Sequence, residues 1–249
     1  MSVKKAWIAG AIVLLVLAAV TAGLTFVKAR DSLPPITGAT LDRAVPDMPL
    51  VDKQGRTVSL ASFHGRVVVL APTLTLCSEV CPITSGAFIR MEAAVRKAGL
   101  GSRVAFVEVT VDPERDTPSR LRAYERLTGV DWTLLTGTPA QVKRFWSFFD
   151  VGYFKQPQSN RPARDWLTGK PLTYDVAHQD GLFLLDAQGH ERIVIVGPPT
   201  TGGRLAPQLK RLLGSEGLQE LAHPHGAWTV EQALNDLSNL VGTRVGESA

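Results

Sequence analysis

The chain is poor in cysteine: Cys77 and Cys81 are the only two in 249 residues. That excludes a disulfide-stapled scaffold, so stability has to come from an apolar core and the pair is free for chemistry. Charge of one sign is lacking as well. The 27 basic and 23 acidic residues are scattered without a long run, and a net charge of +4 is too mild to argue for nucleic acid. It suits an acidic partner or a membrane surface, and no DNA- or RNA-binding motif occurs. Hydrophobic residues at 45% and charged residues at 20% are ordinary for a globular protein.

One long hydrophobic run is present. After "MSVKK", the uncharged stretch Ala6–Val27 is long enough to cross a bilayer as a helix, which takes roughly 20 residues. A cleaved signal peptide is the alternative, with "VTA" at Val20–Ala22 as its small-residue site. Lys4 and Lys5 before the run nearly balance Lys28 and Arg30 after it; the α-amino group and Asp31 tilt the N-terminus inward. Either way the bulk of the chain is exported, to the periplasmic side of the inner membrane in a bacterium. The expected organisation is an anchor or signal segment over 1–30, a Pro- and Gly-containing tether over 31–47, a folded domain over 48–213 and a helical extension over 214–249.

Within the folded part the hydrophobic period alternates. "RVVVLAPTLT" and "RVAFVEVTV" are continuous apolar runs of the kind buried on both faces of a sheet. From Pro82, the residues Ile83, Ala87, Met91, Ala94, Val95 and Ala98 share one helical face that stops at Gly99. Thr117 followed by Pro118 opens a second helix, and "TPAQVKRFWSFFD" a third. "WTLL" is a short strand, "GLFLLDAQGHERIVIVG" a hairpin turning at Ala187–Gly189, and "RLAPQLKRLL" a further helix. This is the order of an α/β, thioredoxin-like domain. The polar stretch between Gly152 and Ala177 reads as a surface loop or extended hairpin. In the tail, Thr229 and Gln232 fit a capping box ahead of an apolar stripe of Val230, Leu234, Leu237 and Leu240, predicting a docked helix with a structural role.

The cysteines in "TLTLCSEVCPITSG" sit where the first buried strand turns into the first helix. A helix N-terminus favours negative charge, so a thiolate is stabilised there. Such a thiolate attacks disulfides and also binds soft metals. Three intervening residues, Ser78, Glu79 and Val80, space the sulfurs more widely than in thioredoxin-like reductases, which suits two sulfurs and a third ligand around Cu(I). Five histidines compete for that third place. His64 and His190 lie in turns and read as solvated. His223 and His225 form "HPH", a candidate auxiliary contact. His178, just before a buried strand, can reach the sheet edge that carries the cysteines, although a lone histidine there also reads as structural.

The segments "CSEVCP", "VTVDPERDTP", "LLTGTPAQVKRFWSFFDV" and "YDVAHQDGLFLLDAQG", in this order, resemble the SCO/SenC family of membrane-anchored copper-binding proteins over roughly Leu41 to Leu213. The resemblance implies a thioredoxin-like fold with copper, as Cu(I) or also Cu(II), held by Cys77, Cys81 and His178. It further implies a role in assembling the binuclear CuA centre in the copper-bearing subunit of cytochrome c oxidase. Asp112 matches the acidic residue of the "DPERDTP" loop; it reads as turn and cap chemistry and stays outside the site. Ala177 stands where the family commonly has Asp or Asn, which predicts an imidazole without that acceptor. "TLTL" replaces aromatics before Cys77, and Ser78 replaces a more usual proline. The leading expectation is an anchored copper chaperone. The alternatives are a membrane-anchored thiol–disulfide oxidoreductase working through Cys77 and Cys81, and a copper or redox sensor.

Overall fold

A computed structural model describes residues 33–158 and 163–247. The chain enters the sheet at β1 (Ala39–Ala44) and makes a small hairpin of β2 (Leu50–Asp52) and β3 (Thr57–Val58). It then alternates through β4 (Val67–Thr73), α1 (Cys81–Lys97), β5 (Val104–Thr110), α2 (Pro118–Thr128), β6 (Thr133–Thr136) and α3 (Pro139–Phe148). A hairpin of β7 (Tyr153–Pro157) and β8 (Tyr174–His178) precedes β9 (Gly181–Leu185) and β10 (His190–Val196). The remainder is β11 (Pro199–Thr200), α4 (Pro207–Lys210), α5 (Ser215–Ala222), β12 (Trp228–Thr229) and α6 (Val230–Val241).

Eight strands form one sheet in the order β1-β10-β9-β4-β5-β6-β2-β3. The centre β4-β5-β6 is parallel, and β9 joins β4 antiparallel. Every residue of β4 and β5 is buried because both faces are covered. Val67, Val69 and Ala71 point into a core shared with α1, α2 and α6; Val68 and Leu70 point into a second core with α3. The two-residue period of the strand thus feeds two separate hydrophobic layers. Threonine caps start the helices, at Thr117 and Thr229 as the sequence predicts and at Thr138 besides: Thr117 accepts from Arg120 N, and Thr138 and Thr229 each form a capping box with a glutamine.

Two expectations need correction. The tether over 31–47 contains β1, which pairs antiparallel with β10 from Ala39 opposite Val194 to Ala44 opposite His190. "RLAPQLKRLL" yields only the four helical residues of α4, since Pro207 bars the residues before it from the helix and the chain turns after Lys210. The tail helix docks as its apolar stripe predicts, and deeply: Trp228, Val230, Ala233, Leu234, Leu237, Val241 and Val245 are part of the first core. It also holds the start of β1. The fully buried Asp236 carboxylate accepts from Thr37 N (2.6 Å), Gly38 N (2.9 Å) and the Thr37 hydroxyl (3.1 Å). Asn239 Nδ2 donates to Pro34 O at 2.8 Å.

The expected anchor Ala6–Val27 lies outside the described residues. Among the described residues no helix is long and apolar enough to cross a membrane.

Candidate metal centre

The strand β4 ends at Thr73, and a loop delivers Cys81 as the first residue of α1, with Pro82 in the first turn. The residue before the helix is Val80, which has no side chain to cap the helix. The Cys77 sulfur takes over part of that task, accepting from Glu79 N and Cys81 N at 3.4 Å each. A hydrogen bond from the Cys81 thiol and these backbone amides pull the Cys77 thiol below its ordinary value, against the opposing effect of burial. Cys81 moves the opposite way, well upward, because it donates to Cys77, is buried, and faces the charge Cys77 carries. Cys77 is therefore the sulfur that ionises first, and it is also the more exposed of the two.

His178 closes β8, opposite Tyr153 of β7. Its side chain is 7% exposed, and Nε2 lies 3.5 Å from Cys81 Sγ. On the other side of the ring, Nδ1 faces Gln179 O at 3.3 Å and Asp180 Oδ1 at 3.6 Å. The acceptor missing at Ala177 is thus replaced from the following residues. Burial raises the Asp180 carboxyl, and the neighbouring imidazole opposes that rise.

The β7–β8 hairpin is outside the main sheet, so other bonds hold His178 in place. Arg115 Nη1 donates to Tyr174 O at 2.9 Å, and its guanidinium lies 3.8 Å from the Tyr174 ring centre. Tyr174 Oη donates to Asp112 Oδ1 at 3.0 Å, while Arg115 Nε bonds the other Asp112 oxygen. Asp112 is therefore a positioning residue for β8 as well as a turn residue. Asp116 does similar work for the cysteine loop. Fully buried, it accepts from Thr75 N (3.1 Å), the Thr75 hydroxyl and the Thr110 hydroxyl (2.6 Å). Burial pushes its carboxyl up to about 6 against these bonds. Trp166 Nε1 donates to Thr75 O at 2.6 Å, and the Trp166 segment is held by Arg120, which bonds both Asp165 oxygens at 2.9 and 2.7 Å. That bidentate pair holds the Asp165 carboxyl well below the usual range.

A cleft of about 180 Å³ opens beside the sulfur pair, lined among others by Cys77, Glu79, Gln156, Asp175, His178 and Asp180. The structure thus brings Cys77, Cys81 and His178 to one end of the sheet. The other histidines lie elsewhere: His190 pairs with Asp42, His225 with Glu220, His223 ends α5, and His64 packs at the Gly189 turn. Sequence reasoning missed Asp180, Asp116, Trp166 and Arg120. Asp180 left a local trace as the acidic residue two places after the histidine in "HQD", and Asp116 one as the second acidic residue flanking Arg115 in "DPERDTP".

The family pattern of SCO1/SenC matches residues 39–214. The chain belongs to the SCO1/SenC family. A Stutzerimonas stutzeri protein named for copper binding is 28% identical over 170 residues, covering 68% of this chain and 78% of that protein. The bovine mitochondrial SCO2 homologue is 29% identical over 142 residues, 55% of this chain and 51% of the bovine one, so this chain spans about half that relative's length. The structure of Bradyrhizobium japonicum ScoI with copper bound shares the fold, with a TM-score of 0.51 at 22% identity over 73% of this chain and 98% of that one. The SCO1/SenC pattern stops at residue 214, so α5 and α6 lie beyond it.

Proposed function

We propose that the protein is a copper chaperone that carries one copper ion on Cys77, Cys81 and His178 and passes it to the CuA-bearing subunit of cytochrome c oxidase. Family membership and the relatives named for copper support the cargo. The observation that carries the site is the 3.5 Å between Cys81 Sγ and His178 Nε2. Metal–sulfur and metal–nitrogen bonds of about 2.3 and 2.0 Å put sulfur and nitrogen about 3.5 to 3.7 Å apart at tetrahedral to trigonal angles. Among the described residues no three His, Cys, Asp or Glu side chains surround a common point as they stand. The Cys77 sulfur has to turn from its amides toward that gap to complete the set. Cys81, held as a thiol, must release its proton when it becomes a ligand, so capture weakens as pH falls. The uncharged stretch Ala6–Val27 supports an exported domain held at a membrane.

Thiol–disulfide exchange is the second reading, favoured by the opposed shifts of Cys77 and Cys81, which give one attacking and one resolving sulfur. His178→Ala separates the two. The variant is expected to lose Cu(I) to a competing chelator at once while its cysteines still oxidise and reduce as in the parent. Cells carrying it should fail to assemble the oxidase unless copper is added. Normal assembly at limiting copper would sink the chaperone reading.

The imidazole support is tested in the same competition assay. Asp180→Ala should weaken Cu(II) binding about tenfold, and Ala177→Asp should change it little, because Nδ1 already faces Gln179 O and Asp180. A large gain in Ala177→Asp would show that this support is inadequate.

A further inference from the structure

The loop between the cysteines is braced by chain at, and just beyond, the end of the SCO1/SenC pattern. Gly214 N donates to Ser78 O at 2.8 Å. Gly217, in α5, comes so close that a Cβ there would lie 2.5 Å from Ser78 O and 2.9 Å from Glu79 O. The carbonyl of Ser78 and the N–H of Glu79 are the two ends of one peptide unit, and no cis peptide occurs in the described chain. In a trans peptide the two bonds point in opposite directions. Pinning the Ser78 oxygen therefore fixes where the Glu79 N–H points, and it points at the Cys77 sulfur, 3.4 Å away. A hydrogen bond accepted at the oxygen also polarises the unit and makes its N–H a better donor. Leu213 and Leu221 press the same segment against Ile83 of α1, so the brace is anchored on the helix that carries Cys81.

We infer that residues 214–217 are a positioning element of the metal centre, with Gly217 and the Gly214 amide orienting the peptide whose N–H is donated to the Cys77 sulfur. This deepens the copper reading and rests on it for its metal-bound consequences, but the orientation itself belongs to the metal-free protein.

Two variants attack the brace differently. Gly217→Ala adds the methyl group that collides with the Ser78 carbonyl. Gly214→Pro deletes the donor, and its φ of −80° already suits proline. Val245→Ala serves as the packing control, since it loosens the core under α6, which holds no residue of the cysteine loop. In the metal-free protein at pH 7, alkylation of Cys77 by iodoacetamide, mapped by mass spectrometry, should slow about tenfold in both glycine variants and stay at the parent rate in Val245→Ala. Val245→Ala should nevertheless lower the melting temperature. The half-time for surrendering Cu(I) to a chelator should shorten about tenfold in the glycine variants only. Parent-like alkylation in both glycine variants, or equal slowing in Val245→Ala, overturns the inference. A parent that binds no Cu(I) but shows the alkylation difference supports the brace and defeats the copper reading instead.

Discussion

A chain cut at Gly214, where the family pattern stops, is expected to lose cooperative unfolding altogether. The residues removed include Trp228, Val230, Leu234, Leu237, Val241 and Val245, all buried in the core under α1 and β10. Burying one large apolar side chain is worth about 1.5 to 3 kcal/mol, so the loss is on the order of 10 kcal/mol. That equals the whole stability of an ordinary domain, about 5 to 15 kcal/mol. Polar ties go too: Arg103 Nη2 to Val241 O at 2.8 Å, and Arg90 to both Glu247 oxygens at 2.6 Å. Circular dichroism and calorimetry on residues 33–214 beside residues 33–247 decide the matter. A sharp transition within a few degrees of the longer chain would mean the sheet does not need its extension.

Stability should also fall as the pH rises from about 4.5 to neutral, because of Glu108. This side chain of β5 is fully buried, accepting from the Ser85 hydroxyl at 2.9 Å and Trp132 Nε1 at 3.0 Å. Burial lifts its carboxyl from an ordinary 4.5 to about 7, against those bonds. Below about pH 4.5 it is protonated in folded and unfolded chains alike, and its contribution is fully present. Between about pH 4.5 and 7 the unfolded chain ionises freely while the buried group resists, so about 3 kcal/mol drains away. Above that the loss levels off. Glu108→Gln stays neutral throughout, so its urea-unfolding free energy should lack this slope, exceed the parent's at pH 8 and not at pH 4.5. Parallel profiles for the two proteins would show that Glu108 ionises in the fold at no cost.

Which parts of this molecule could be read from its residues follows from how local their causes are. β4, β5 and α1 announce themselves, since an unbroken Val/Leu run and a 3.6-residue stripe after Pro82 each have one reading. Thr117, Thr138 and Thr229 cap their helices through bonds only three residues long. β1 escaped because "ATLDRA" is a mostly exposed edge strand with no clean alternation, and its pairing is dictated by β10 some 150 positions later. At the candidate site, the nearness of Cys77 to Cys81 is plain from their spacing, and His178 is placed by its position ahead of β9. The bonds that aim them are not so legible. Asp116 reaches Thr75 across 41 positions, and Trp166 reaches it across 91. Only the closed fold brings such partners together.

The seat of Thr37 and Gly38 on Asp236 has a mechanical meaning. Any pull on the chain ahead of Leu33 arrives at bonds between amides and a buried carboxylate before it can peel β1 from β10. The load then passes into α6 and the core beneath it, away from the loop that carries the cysteines. A domain tugged by a tether would keep its two sulfurs and its imidazole in register, as a cable clamp spares the terminals wired behind it.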